Sequence, residues 1–162
     1  MLKKVCLFFI ACCMCCLTYA QTTGNIPPFK VRLTSNQLFS YKDLKKNVPT
    51  VLIYFSPTCE HCNEFTKELV KHESALKNKQ LVFITYLSLE ETLAFDKLYK
   101  LSSNPNIKVG SEGYTFVVQK YYNIQKFPYI ILFNEQQKMV KKLSPTDEPG
   151  SLAKQVSNFN PR

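Results

Sequence analysis

Cys59 and Cys62 are the residues of this chain whose type and spacing can do chemistry. They stand in Ser56-Pro57-Thr58-Cys59-Glu60-His61-Cys62, directly after an apolar run and directly before an amphipathic stretch. A cysteine at the start of a helix sits among backbone N–H groups that lack intrahelical partners, at the positive end of the dipole. Both favour the thiolate, which is the nucleophilic form. Cys59 therefore reads as the exposed nucleophile, and Cys62, one turn on, as the shielded thiol that begins the apolar stripe of the helix. At this spacing on a helical turn the two can close a disulfide with little backbone movement. An inert disulfide around so small a loop would stabilise little, because the entropic contribution grows with loop length. A zinc site wants four ligands. Beyond the N-terminal segment the chain offers only these two cysteines with His61 and His72. His72 falls on the helical stripe and reads as a core or stripe-edge residue, so no metal is assigned.

The elements that must position this pair follow from periodicity. Three short runs rich in β-branched and aromatic residues, at 51–55, 81–87 and 129–133, are apolar throughout and read as central strands covered on both faces. Residues 29–33 alternate apolar and charged, as a half-buried edge strand does. Residues 37–46 read as a turn region with Leu38, Phe39 and Leu44 dipping inward. Cys62, Phe65, Leu69, His72 and Leu76 recur at three- and four-residue steps and predict a helix over 60–77. A second helix over 90–101 would bury Ala94, Leu98 and Leu101, and a third over 114–122 follows breaks at Asn104-Pro105 and residues 110–113. A strand over 138–143 and a helix over 149–159 complete an α/β fold, a central mixed sheet with helices on both faces. Tyr54, Phe55, Tyr114, Tyr121, Tyr122, Phe127 and Tyr129 read as core and rim rather than as a cofactor box.

The chain has 162 residues, enough for one domain. Five of its seven cysteines (Cys6, Cys12, Cys13, Cys15, Cys16) lie in the first 16 residues. There Lys3 and Lys4 precede an apolar run that ends in Thr18-Tyr19-Ala20. That is the pattern of a secretory signal peptide over residues 1–20, followed by a polar leader over 21–28 and the folded domain over 29–162. The alternatives are an uncleaved anchor and a lipoprotein acylated at Cys12, and only these would attach the protein to a membrane. The expected location is exported, periplasmic or secreted, where disulfides persist. The net charge of +9 is spread without basic blocks, so nucleic acid is not expected as a partner.

The strand over 51–55, the Cys59-Glu60-His61-Cys62 turn, and Lys126-Phe127-Pro128-Tyr129 before a late strand together resemble the thioredoxin superfamily. The resemblance covers most of residues 29–160 and is nearest to secreted, TlpA-like thiol–disulfide oxidoreductases. It implies a thioredoxin-like fold and a redox-active disulfide between Cys59 and Cys62, with no other cofactor. It also implies that Pro128 is cis and packs against the sulfurs, with the Phe127 backbone meeting the substrate. The implied activity is reduction or isomerisation of disulfides in client proteins, fed by an upstream electron donor. Running as a net oxidant, or serving as a non-catalytic interaction or copper-handling module, are the alternatives. His61 stands where histidine stands in strongly oxidising DsbA-like enzymes, where it stabilises the thiolate and raises the potential, at the limit to about −120 mV against about −270 mV for thioredoxin. Glu60 opposes it by repelling a thiolate, so an intermediate potential is expected. Thr58 replaces the usual tryptophan, and Ile53 stands where many thioredoxins carry a buried aspartate. Thiol activation then falls to the helix end, His61, and Glu64 or a lysine. A peroxiredoxin would need proline in place of Leu52, which disfavours peroxide chemistry.

Overall fold

Residues Thr50–Tyr54 form strand β3, buried along its whole length, which is what an uncharged run of β-branched and aromatic side chains requires. β3 is an interior strand of the sheet in the computed structural model, which describes residues 24–161. The expected signal segment and its five cysteines lie outside the described residues. The other strands are β1 (Lys30–Leu33), β2 (Leu38–Ser40), β4 (Gln80–Thr85), β5 (Ile107–Ser111), β6 (Tyr129–Phe133) and β7 (Met139–Leu143). All seven make one sheet in the order β2-β1-β5-β4-β3-β6-β7. Strands β3, β4 and β5 are parallel, while β6 runs antiparallel to β3, β7 to β6, β1 to β5 and β2 to β1. Parallel neighbours need crossover connections, and helices α1 (Glu60–Val70) and α2 (Leu89–Tyr99) lie on them. Helix α3 (Val117–Tyr122) precedes β6, and α4 (Pro149–Asn158) closes the chain.

The two-residue period of β3 divides the core. Val51, Ile53 and Phe55 join Cys62, Phe65 and Leu69 of α1, Phe95 of α2 and Leu152, Ala153 and Val156 of α4 on one face. Leu52 and Tyr54 join Phe29, Val31, Val118 and Ile131 on the other. Helices thus cover both faces, three on one and the short α3 on the other. Each large side chain so buried stabilises the fold by about 1.5–3 kcal/mol. Among the described residues no helix is long and apolar enough to cross a membrane.

Several elements differ from the sequence expectation. Helix α1 ends at Val70, and a 3-10 turn over Glu73–Leu76 follows. The change of pitch takes His72 off the stripe and leaves it exposed, so it is not a core residue. In α2 the buried face is Thr92, Phe95 and Asp96, whereas Ala94 is exposed and Leu98 is 69% exposed. The polar pair is buried because it is bonded: the Thr92 hydroxyl donates to the Ser88 carbonyl, and Asp96 accepts from Thr34 and Ser102. Strand β5 was not expected, and β2 occupies part of the supposed turn region. The third helical stretch is a 3-10 turn, Gly113–Thr115, followed by the six residues of α3. Part of the polar leader lies on the fold: the Gly24 carbonyl accepts from the Met139 N–H, Asn25 bridges Lys138, and Pro27 is buried.

Gly110 shows why β5 reads as a break. A Cβ there would stand 2.8 Å from the Arg32 carbonyl oxygen and 3.0 Å from a Val31 methyl, so the close approach of β1 to β5 requires glycine. Gly110→Ala should therefore destabilise the protein by about 2 kcal/mol. Urea unfolding followed by circular dichroism should show a lower midpoint with an unchanged slope; an unchanged midpoint would contradict the packing described.

Candidate active site

The register of the central strands brings the two sequence motifs together. Tyr54 at the end of β3 pairs with Tyr129 at the start of the antiparallel β6. The loop that leaves β3 and the Phe127-Pro128 segment that enters β6 therefore emerge side by side. The Phe127-Pro128 peptide is cis, the geometry that the resemblance implies at that position, and Pro128 is buried.

Cys59 is the N-cap of α1 and half-buried, while Cys62 is fully buried. The Cys62 backbone N–H donates to the Cys59 sulfur at 3.4 Å, so one of the orphan donors of the helix end points at that sulfur. The Cys59 thiol in turn donates to the Phe127 carbonyl at 3.9 Å. Both cysteines are free thiols in this structure. Burial pushes the Cys62 thiol far above its ordinary pKa, and the hydrogen bond with Cys59 adds to the shift. Ile53, fully buried in the same core cluster as Cys62, supplies no acid or base from β3.

His61 does not bond to either sulfur. Its Nε2 lies 2.9 Å from the Asp147 carbonyl, which can only accept, so this nitrogen carries the proton. The ring is thereby tied to the loop before α4. Glu60 is exposed in the first turn of α1, where a carboxylate is favourable to the helix dipole. Glu64 is exposed on α1. Among the described residues no three His, Cys, Asp or Glu side chains are grouped to hold a metal.

Two supports were not singled out from the sequence. The Asn63 amide donates to the Pro57 carbonyl at 3.0 Å and the Cys59 carbonyl at 2.8 Å, and its oxygen accepts from the Tyr99 hydroxyl at 2.8 Å. It fastens the cysteine loop to α1 and α2 together. Beneath the Phe127-Pro128 loop, buried Glu112 accepts from the Tyr54 hydroxyl at 2.7 Å and from the Val118 N–H at 3.0 Å, and the Tyr54 and Phe127 ring centroids are 5.9 Å apart. Burial, then Glu112, pushes the Tyr54 hydroxyl pKa upward. An asparagine in a helix and a glutamate after a strand carry no spacing signal that would have marked them.

The family model described as thioredoxin-like matches residues 47–139, which is more than half of the sequence and includes both cysteines and Pro128. The chain belongs to the thioredoxin-like family. Solved structures share this thioredoxin-like fold at low identity. A secreted disulfide oxidoreductase of Mycobacterium tuberculosis, homologous to E. coli DsbE, matches with a TM-score of 0.64 and 19% identity, over 82% of this chain and 96% of that one. The thioredoxin domain of a thiol-disulfide oxidoreductase from Bacteroides vulgatus gives 0.66 and 19%, over 86% and 99%. Copper-bound ScoI of Arabidopsis thaliana gives 0.61 and 15%, over 84% and 96%. At these identities the likeness is one of fold. A comparison with curated proteins finds no match.

The difference in burial between the two thiols has a direct chemical consequence. With the protein reduced, iodoacetamide at pH 8 should modify Cys59 and leave Cys62 untouched until the protein is unfolded, because the buried thiol is both inaccessible and protonated. Peptide mapping by mass spectrometry reads this. Equal modification of the two in the native protein would contradict the assignment.

Proposed function

We propose that this protein is an exported thiol–disulfide oxidoreductase that reduces or isomerises disulfides of client proteins. The observation that carries this reading is the half-buried Cys59 sulfur at a helix N-terminus, with buried Cys62 one turn behind it and the Phe127 carbonyl beside it.

The Cys59 thiolate attacks one sulfur of a client disulfide. A bond forms between Cys59 and that sulfur, the client S–S bond breaks, and the second client sulfur leaves as a thiolate and takes up a proton. Cys62 then attacks the Cys59 sulfur, and the first client sulfur departs. The Cys62 proton passes to that leaving thiolate, so the step needs no internal carboxylate, in keeping with Ile53 at that position. The client gains two electrons and two protons, and Cys59 and Cys62 are left as a disulfide. A dithiol donor restores the pair by the same exchange in reverse. The Phe127 backbone positions the client chain as it lies across the cis peptide. In isomerisation, a client thiol displaces Cys59 before Cys62 acts.

The pair itself is the redox centre, and the signal-like N-terminus supports export. His61, its ring fixed on the Asp147 carbonyl, and Glu60, exposed in the first turn of α1, tune the potential of the pair.

The order of attack is tested by substitution. Cys62→Ser should accumulate mixed disulfides between Cys59 and client proteins, visible as thiol-reversible bands on non-reducing gels, whereas Cys59→Ser should accumulate none. Trapping in Cys59→Ser with none in Cys62→Ser would reverse the roles, and trapping in neither would refute the activity.

A further inference from the structure

Asn63 directly follows Cys62 inside α1, where asparagine is a weak helix former, so the helix itself gives no reason for it. Its polar contacts do. The Nδ2 group donates to the Pro57 carbonyl at 3.0 Å and to the Cys59 carbonyl at 2.8 Å. Carbonyls only accept, which fixes the orientation of the amide and leaves Oδ1 facing the Tyr99 hydroxyl at 2.8 Å. That hydroxyl must therefore donate. Both amide hydrogens and the amide oxygen are engaged, and the partner on α2 lies 36 residues away in the chain.

Tyr99 is the last residue of α2, and a stack of rings sets its place. Its ring centroid is 4.8 Å from Phe95, which is 4.6 Å from Phe55, directly after β3. Burial holds the Tyr99 hydroxyl above its ordinary pKa, so it remains a donor at neutral pH. Every donor in the chain from Tyr99 through Asn63 to Cys59 points towards the cysteine loop. Hydrogen bonds in series polarise one another, so these dipoles add at the Pro57 and Cys59 carbonyls. The Cys59 carbonyl belongs to the same residue as the reacting sulfur, and drawing electron density from it favours a negative charge there. The effect adds to that of the Cys62 N–H on the sulfur.

We propose that Asn63 and Tyr99 are positioning residues for Cys59. The amide fixes the Pro57–Cys59 loop so that the sulfur faces the Cys62 N–H, and the chain of donors favours the thiolate. Neither side chain touches a client sulfur. The inference deepens the redox reading and rests on it for the use made of that thiolate, so its test reads Cys59 without a client. The titratable groups on the segments around Cys59 are Glu60, His61, Cys62 and Glu64 on α1, Lys126 beside Phe127, and Asp147 before α4. All of them stay in place when Asn63 or Tyr99 is replaced.

The rate at which iodoacetamide alkylates Cys59 in the reduced full chain is read by peptide mapping from pH 5 to pH 9.5. Tyr99→Phe keeps the ring on Phe95 and removes only the hydroxyl. Asn63→Ala removes the amide without weakening α1, since alanine is the better helix former. Both profiles should be displaced to higher pH. At the acid end Asn63→Ala should react about threefold more slowly than the native chain and Tyr99→Phe less so, with the rates converging at the alkaline end. Leu98→Ala, exposed on the same helix as Tyr99, should reproduce the native profile. A merely structural role would lower the urea midpoint and leave the profile in place. Tyr99→Phe decides the matter if Asn63→Ala does not fold. The proposal is overturned if the Tyr99→Phe profile superimposes on the native one, or if either variant differs from it by one factor at every pH. Displaced profiles without mixed-disulfide trapping in Cys62→Ser would uphold the pair and refute the redox reading; trapping with superimposed profiles would do the reverse.

Discussion

The hydrogen bond from the Cys62 backbone N–H to the Cys59 sulfur ties together what this fold must achieve. It makes one cysteine the cap of α1, half-open to solvent, and commits the other, three residues later, to the apolar stripe of the same helix. The helical turn thus sets two chemically alike thiols in opposite environments. One has a helix end pointing at it, and the other is kept protonated by burial. Everything around the pair holds this asymmetry in place. Packing of α1 against α4 and β3 buries Cys62, and Asn63 clamps the loop that presents Cys59.

The second constraint is the pairing of β3 with β6. Because the two run antiparallel with Tyr54 opposite Tyr129, residues about seventy positions apart in the chain meet at one end of the sheet. Without that register the Phe127 carbonyl would not stand beside Cys59. The buried Tyr54 and Glu112 pair braces the same corner from the other face of the sheet, where it also anchors the start of α3. The site is therefore supported from both faces, by apolar packing on one and by a satisfied polar pair on the other.

Legibility in the sequence followed how local each determinant is. The central strands β3, β4 and β6 were readable because burial on both faces leaves continuous apolar runs, and the cysteine pair because its spacing and its place before a helix are both local. Strand β5 was not, since Lys108 and Gly110 break its apolar character; the glycine answers the approach of β1, which is distant in sequence. The buried face of α2 is hidden from an apolar count because Thr92 and Asp96 are buried through bonds to Ser88, Thr34 and Ser102. His72 fits the apolar spacing of α1 in sequence, yet it lies past the end of that helix, next to a turn of different pitch. Asn63 carries no signal apart from its partners, and its role appears only once Pro57, Cys59 and Tyr99 surround it.

The proposed exchange requires Cys59 and Cys62 to form one two-electron couple. Equilibration of the folded protein in glutathione buffers of graded composition, followed by alkylation and peptide mapping, tests this most directly. A single transition is expected in which both thiols are lost together, with a midpoint between about −270 and −120 mV. Persistence of both thiols across the series, or glutathionylation of Cys59 with Cys62 remaining a thiol, would contradict it.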